Sequence, residues 1–416
     1  MGTNDTPSAV ARILFWSAVI FNVAVWIDLV SMLNYWGFYH AATPIQLGIL
    51  IMSFSGSMAL ATAMGSGRIQ KRNVLVMMGA AWGSGMIMVL HLYVASFAAA
   101  IALILIKGLL IGCFVNGQEV LLRRMTSPQL YAALDNRFEW LVAIVKCAGP
   151  LAAGLSVMVW QPQVTVWIAA VTYAVTAIPA AFLSRPARAG EASREEPAQD
   201  NGNVQHPGEA PDASVRAYLM SGLIILAAMS FFVTVGDSQL VVLFRDIYQW
   251  DNAAIVAYVM AAAGLGTLLV RMRVATSGVQ PSFKAISLSS AGLALVFLAV
   301  TWAMSRHMDV AWLLGLFFAG GVCWQIGFSL YLKKLGQLAA ARAKMVQFGT
   351  VMALTYILGP LFGGMGVAWL GIGATFLWAG VCIFVFGLAA SAGYAAILAK
   401  LRKSAQRSSH PVKEAK

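Results

Sequence analysis

Twelve mostly apolar stretches follow one another along this 416-residue chain. Each has about 20 residues, enough to cross ~30 Å of hydrocarbon. They run over 13–35, 45–66, 74–94, 98–120, 138–160, 164–184, 217–243, 253–270, 283–303, 311–332, 345–368 and 373–398. Lipid offers no hydrogen bonds, so the backbone of each stretch must satisfy itself, which makes each stretch a helix. Hydrophobic residues form 60% of the chain and charged ones 11%, with a mean hydropathy of +0.77. A soluble domain carries about 25% charged residues. The expected fold class is an all-α polytopic membrane protein: twelve transmembrane helices as two six-helix pseudo-symmetric halves.

The halves announce themselves by repetition. Asp28 and Asp237 lie in the first stretch of each half, and each is followed eleven positions later by a tyrosine, Tyr39 and Tyr248. Gly149-Pro150-Leu151 recurs at nearly the same offset as Gly359-Pro360-Leu361. An ionisable group in hydrocarbon is costly, so one retained at the same place in both copies points to a transporter built from two parallel repeats. The expected organisation is an N-terminal half over 1–184, a polar linker over 185–216, a C-terminal half over 217–400 and a basic tail over 401–416. The linker contains Glu195-Glu196-Pro197 and Gln205-His206-Pro207-Gly208 and has no apolar helical face.

Net charge is +12, which by itself could indicate a nucleic-acid partner. Its distribution argues against one. Of the 28 Lys and Arg, 24 fall in loops and tails on one face, Arg245 and Arg306 on the other, and Lys107 and Lys146 within helices. This is the positive-inside pattern, which predicts a multi-pass protein of a bacterial inner membrane with both termini cytoplasmic. The basic tail would lie near the anionic leaflet. Cys113, Cys147, Cys323 and Cys382 lie within helices and read as packing residues. His40, His91, His206, His307 and His410 have no metal-type spacing, and there is no phosphate-binding loop. Neither metal, cofactor, direct ATP coupling nor enzyme chemistry is expected.

With these residues in view, the chain resembles the major facilitator superfamily, and within it the branch of macrolide, drug and siderophore exporters. Between the second and third helices that family carries G-x-x-x-D-R-x-G-R-R. Here Arg68, Lys71 and Arg72 match, while Gly67 replaces the acid and Gln70 the second glycine. The resemblance implies a conformational role for the three basic residues but leaves the family's acid latch missing. Exporters of the superfamily carry G-P-x-x-G-G in the fifth helix. This chain has Gly149, Pro150 and Gly154 there, with Ala153 in place of one glycine, and the full form in the eleventh as Gly359, Pro360, Gly363 and Gly364. Proline kinks a helix and glycines let a partner pack on the kink. Leu134-Asp135-Asn136 and Gly236-Asp237 also resemble exporter-branch elements.

Two readings stand beside each candidate residue. Asp28 and Asp237 are candidates for proton coupling, because burial disfavours a charged carboxylate. The other reading is of acids bonded to a neighbouring helix. Lys107 and Lys146 are candidates for binding an anionic substrate, or for pairing with Asp28 or Glu119. Glu119 and Arg123 are spaced as a surface pair. Asn22, Asn116, Gln239, Gln325 and Trp324 are candidates for contact with substrate, against bridging or packing between helices. Together these residues predict a proton-coupled exporter of an amphipathic, possibly anionic, organic metabolite such as a carboxylate siderophore. It would act as a monomer whose partners are the small-molecule substrate, protons and the bilayer. A drug or macrolide efflux pump, a siderophore or nutrient importer, and a non-transporting membrane sensor are the alternatives.

Overall fold

The computed structural model describes residues 9–68, 73–125, 128–191, 213–276, 280–337 and 341–408. The first half comprises α1 (Ala9–Met32), continued by a π-helical turn (Leu33–Tyr39), then α2 (Pro44–Arg68), α3 (Asn73–His91), α4 (Phe97–Met125), α5 (Pro128–Val159) and α6 (Pro162–Glu191). The second comprises α7 (Ala213–Asp237), the single turn α8 (Leu240–Val242) with its own π-helical turn (Leu243–Ile247), then α9 (Ala254–Thr276), α10 (Phe283–Ser305), α11 (Val310–Gly336), α12 (Ala341–Leu370) and α13 (Ile372–Ser408). All described regular structure is helical, and twelve helical spans result. Among the described residues, 11 are long and apolar enough to cross a membrane by themselves, and α6 adds the shorter apolar stretch Pro162–Ile178.

The apolar pattern located these helices, and their polar ends ran further than it implied. The fifth begins at Pro128 rather than 138. Helix α6 continues to Glu191 and α7 starts at Ala213, so helix enters both ends of the expected 185–216 linker; residues 192–212 lie outside the described part. The basic tail is also helical up to Ser408. A hydropathy window stops where side chains turn polar, whereas a helix keeps its own hydrogen bonds in water. The stretch 217–243 shows the opposite departure: expected as continuous, it breaks after Asp237, turns at Ser238 and Gln239, and resumes at Leu240.

Each half has its own buried core, one built around Phe21, Ile104, Phe114 and Tyr173 and the other around Leu226, Val259, Ile286 and Phe376. The halves meet chiefly where α2 packs on α12 and α5 on α9. Small residues allow these approaches. A Cβ on Gly364 would run into the Pro44 carbonyl, and one on Gly264 into the Lys146 carbonyl. We call the side where α1 and α7 begin the terminal face, and the side where their spans end the distal face. At the distal face the cores exchange ends: Leu33, Ala42 and Leu47 join the second core, while Ala253, Ala254 and Ala257 join the first.

Candidate functional site

The two duplicated acids have different surroundings. Asp28, on α1, is buried with Lys107 of α4, each about 1% exposed. The Lys107 ammonium donates to Asp28 Oδ1 at 2.7 Å, and the Tyr173 hydroxyl of α6 donates to Oδ2 at 2.8 Å. Lys107 also contacts the Met88 sulfur at 3.2 Å and lies 5.8 Å from the centre of the Phe54 ring. Both carboxylate oxygens are thus bonded, and the charge of each ion is balanced inside the first half. The void beside the pair, lined by Met32, Ile51 and Phe54 among others, is about 10 Å³, room for no more than one water.

Asp237 ends α7 at the break in the span. Its neighbours Ser238 and Gln239 are buried, whereas Asp237 itself is exposed although it lies deep among protein atoms. It forms no ion pair and no hydrogen bond among the described residues, and no charged side chain among them acts on it. Tyr356 on α12 is within its electrostatic reach, faces Ser230 and is 43% exposed. The flanking polar groups are occupied: Thr355 donates to Ser230 at 2.8 Å, and Thr234 donates to the Thr355 carbonyl at 3.1 Å. On α11, half-buried Trp324 and Phe328 have ring centres 5.6 Å apart, and Phe328 leads to Phe348 at 5.8 Å. The second half therefore holds an accessible carboxylate with a phenol within electrostatic reach and, separately, a run of aromatic rings on α11 and α12.

The remaining candidates divide between packing and access. Asn22 donates to the Ala18 carbonyl within its own helix, and Asn116 bridges to the Ala61 and Thr62 carbonyls of α2. Gln325 donates to Ser329. Gln239 donates to Ser238 and reaches the Pro44 carbonyl of the other half at 3.4 Å. Lys146 is exposed and engaged by a neighbour, as is Glu119. Arg68 closes α2, and Lys71 and Arg72 lie outside the described residues. Gly149 packs against Trp26 of α1 and Gly154 against Ala257 and Tyr258 of α9. Gly359 and Gly363 pack on Thr234 and Val235 of α7, while the Pro360 carbonyl meets Gly48 of α2. Pro150 lies buried within α5.

Tyr173, Met88 and His91 escaped the sequence reading. Tyr173 gave only the signal of one hydroxyl in an apolar stretch. His91, expected at a helix edge, is fully buried, with Nδ1 2.8 Å from the Ile87 carbonyl and Lys107 within electrostatic reach.

Polar bonds join the two halves at the distal face. Arg245, in the second π-helical turn, donates to the carbonyls of Gly37 at 2.6 Å and Ala42 at 3.0 Å. Its guanidinium is held from behind by Asp246, at 2.6 Å and 3.1 Å. The Ala253 amide donates to Asn34 Oδ1 at 3.0 Å, and Val241 packs on Gly37. The distal ends are therefore closed on each other.

Two solved structures similar over nearly the whole chain are a nucleoside transporter, NupG, and a bacterial homolog to the human lysosomal transporter Spinster in an inward-facing and unoccupied conformation. The first has a TM-score of 0.64 at 12% identity, covering 93% of this chain and 99% of its own. The second has a TM-score of 0.66 at 12% identity, covering 95% and 98%. At that identity the likeness shows the fold. No curated protein matches the sequence. A family model does match, over residues 13–360, and with twelve spans in two packed halves it assigns the fold to secondary transport by alternating access: the chain belongs to the Major Facilitator Superfamily.

Proposed function

We propose that this protein is a proton-coupled exporter of an amphipathic organic solute, and that Asp237 is the group through which protons and cargo are coupled. The observation that carries the reading is the state of that side chain: accessible, deep in the bundle, without a counter-charge among the described residues, and at a break in a transmembrane helix. Discontinuous spans between repeats are where transporters commonly bind cargo and coupling ions. A carboxyl in such a place gains a proton readily and gives it up when cargo or water compensates its charge.

Asp28 has a structural role in this reading, since its charge is already met by Lys107. The same pairing occupies one of the two ammonium groups that favoured an anionic cargo. Export is supported by the G-P elements at Gly149–Gly154 and Gly359–Gly364, which pack on α1, α7, α2 and α9. The 24 basic residues that the sequence pattern assigns to one side of the membrane support a cytoplasmic placement of that side in a bacterial inner membrane.

The test uses proteoliposomes with a pH-sensitive dye inside, challenged with a panel of amphipathic cations, anions and neutral solutes. At least one solute should move together with protons, and Asp237→Asn should abolish the proton signal. Solute flux that leaves internal pH flat would rule out the coupling, as would a proton signal that survives in Asp237→Asn.

A further inference from the structure

The two copies of the acid differ in what balances them, and the difference lies in the helices around them. Counted from the first residue of each helix, Lys107 of α4 corresponds to Gly320 of α11, and Tyr173 of α6 to Ile383 of α13. The packing supports this alignment. Gly108 packs on Phe54 and Ser57 of α2, and Gly321 packs on Ala263 of α9. Met88 of α3 touches Lys107, and Leu293 and Val296 of α10 touch Gly320. Both polar partners of Asp28 are thus replaced in the second half, one by a glycine and one by a fully buried isoleucine. Helix α11 has no Lys or Arg before Lys333 and Lys334 in its last turn.

The pocket that receives Asp28 in one half is consequently apolar in the other, where Phe297 and Phe376 close on Gly236. Asp237 has no such pocket to enter. The helix breaks beneath it and its side chain is left accessible, on the side where Tyr356 lies. An ionised carboxylate held deep in a protein needs a compensating charge. When no proton fills that need, something from outside must.

We infer that the cargo carries a cationic group, an amine or other organic cation, which supplies at Asp237 the counter-charge that Lys107 supplies at Asp28. The inference rests on the reading of Asp237 as the coupling site and names the chemical class of its occupant. The aromatic surroundings fit that class. Tyr356, within electrostatic reach of Asp237 and 43% exposed, offers an aromatic ring to a cation with an aromatic or aliphatic body, and ring faces attract positive charge. Lys146 is engaged elsewhere and does not act on Asp237.

Two dyes with the same xanthene ring and opposite charge test it: rhodamine 6G, a cation, and fluorescein, an anion. Binding to the purified full-length protein in lipid nanodiscs is read by fluorescence anisotropy. Rhodamine 6G should bind saturably and at least tenfold more tightly than fluorescein. Asp237→Asn should weaken rhodamine 6G at least tenfold, Asp237→Glu should retain most of the affinity, and Tyr356→Ala should weaken it several-fold. Because Asp237 makes no ion pair or hydrogen bond among the described residues, Asp237→Asn should melt within a few degrees of the parent, which separates lost binding from lost fold. No saturable rhodamine 6G binding, tighter fluorescein binding, or parent-like rhodamine 6G binding by Asp237→Asn would each overturn the inference. If Asp237→Asn loses proton movement but binds rhodamine 6G normally, the coupling reading stands and the cationic cargo falls. If it loses rhodamine 6G binding while protons still move, the coupling reading falls instead.

Discussion

Asp28 and Lys107 form a closed unit at the centre of the first half, and its energetics are those of a desolvated ion pair. Removing either partner leaves an uncompensated buried charge, which costs about 3–5 kcal/mol, whereas replacing both with neutral groups of similar volume is often tolerated. Lys107→Met and Asp28→Asn should therefore each destabilise strongly in a detergent-solubilised unfolding experiment, and the double variant should recover most of the loss. Tyr173→Phe removes one hydrogen bond to a charged group and should cost about 1.5–3 kcal/mol. Equal and additive losses in the two single variants and the double would mean the pair is not a unit. The sequence exposed both ions as anomalies in apolar stretches and offered their pairing as one reading, but could not choose between that and an anion site. Residues 79 positions apart on α1 and α4 become neighbours only through helix packing. Tyr173 was harder still to find, because a tyrosine in a membrane helix is ordinarily a packing or interfacial residue.

At the scale of elements, the π-helical turns explain how the distal face closes. An inserted residue widens a helix and re-aims the side chains that follow, and such turns often accompany functional sites. Both first spans end this way, with the His40 amide bonding to the Tyr35 carbonyl and the Tyr248 amide to the Leu243 carbonyl. The second turn carries Arg245 across to the carbonyls of Gly37 and Ala42. Alternating access requires these bonds to break when the distal side opens. Arg245→Gln should thus shift the halves apart at that face. Spin labels at His40→Cys and Asp251→Cys, with the four native cysteines replaced, should report a longer and broader distance distribution in Arg245→Gln than in the parent. An unchanged distribution would mean that Asn34 and the apolar ends alone hold the face shut. The sequence marked Arg245 as one of two basic residues on that face, yet its role depends on a π turn that leaves no proline or glycine signature. The break after Asp237 is equally silent, since Gly236-Asp237-Ser238 reads as an ordinary helical stretch.

Across the whole molecule, the two halves share a fold but differ in what surrounds their duplicated acids. Apolar windows and repeat spacing were enough to reveal the architecture, because in lipid the backbone has few alternatives. They also suggested that both acids do the same work, whereas the structure gives the two acids different surroundings. The first half neutralises its acid internally with Lys107 and Tyr173, so moving that charge would require dismantling its core. The second half has Gly320 and Ile383 at those positions and leaves Asp237 accessible, without a charged partner among the described residues. If the halves are specialised in this way, the Asp28→Asn/Lys107→Met double variant should keep pH-gradient-driven transport in proteoliposomes, at a rate within a few-fold of the parent. Asp237→Asn, structurally the milder change, should lose the dependence on the gradient altogether. The reverse outcome, with coupling lost in a well-folded double variant and kept in Asp237→Asn, would move the proton site to the first half. The comparison has to be made at equal amounts of reconstituted protein, because transport through the double variant measures coupling only if its core has survived the loss of both ions.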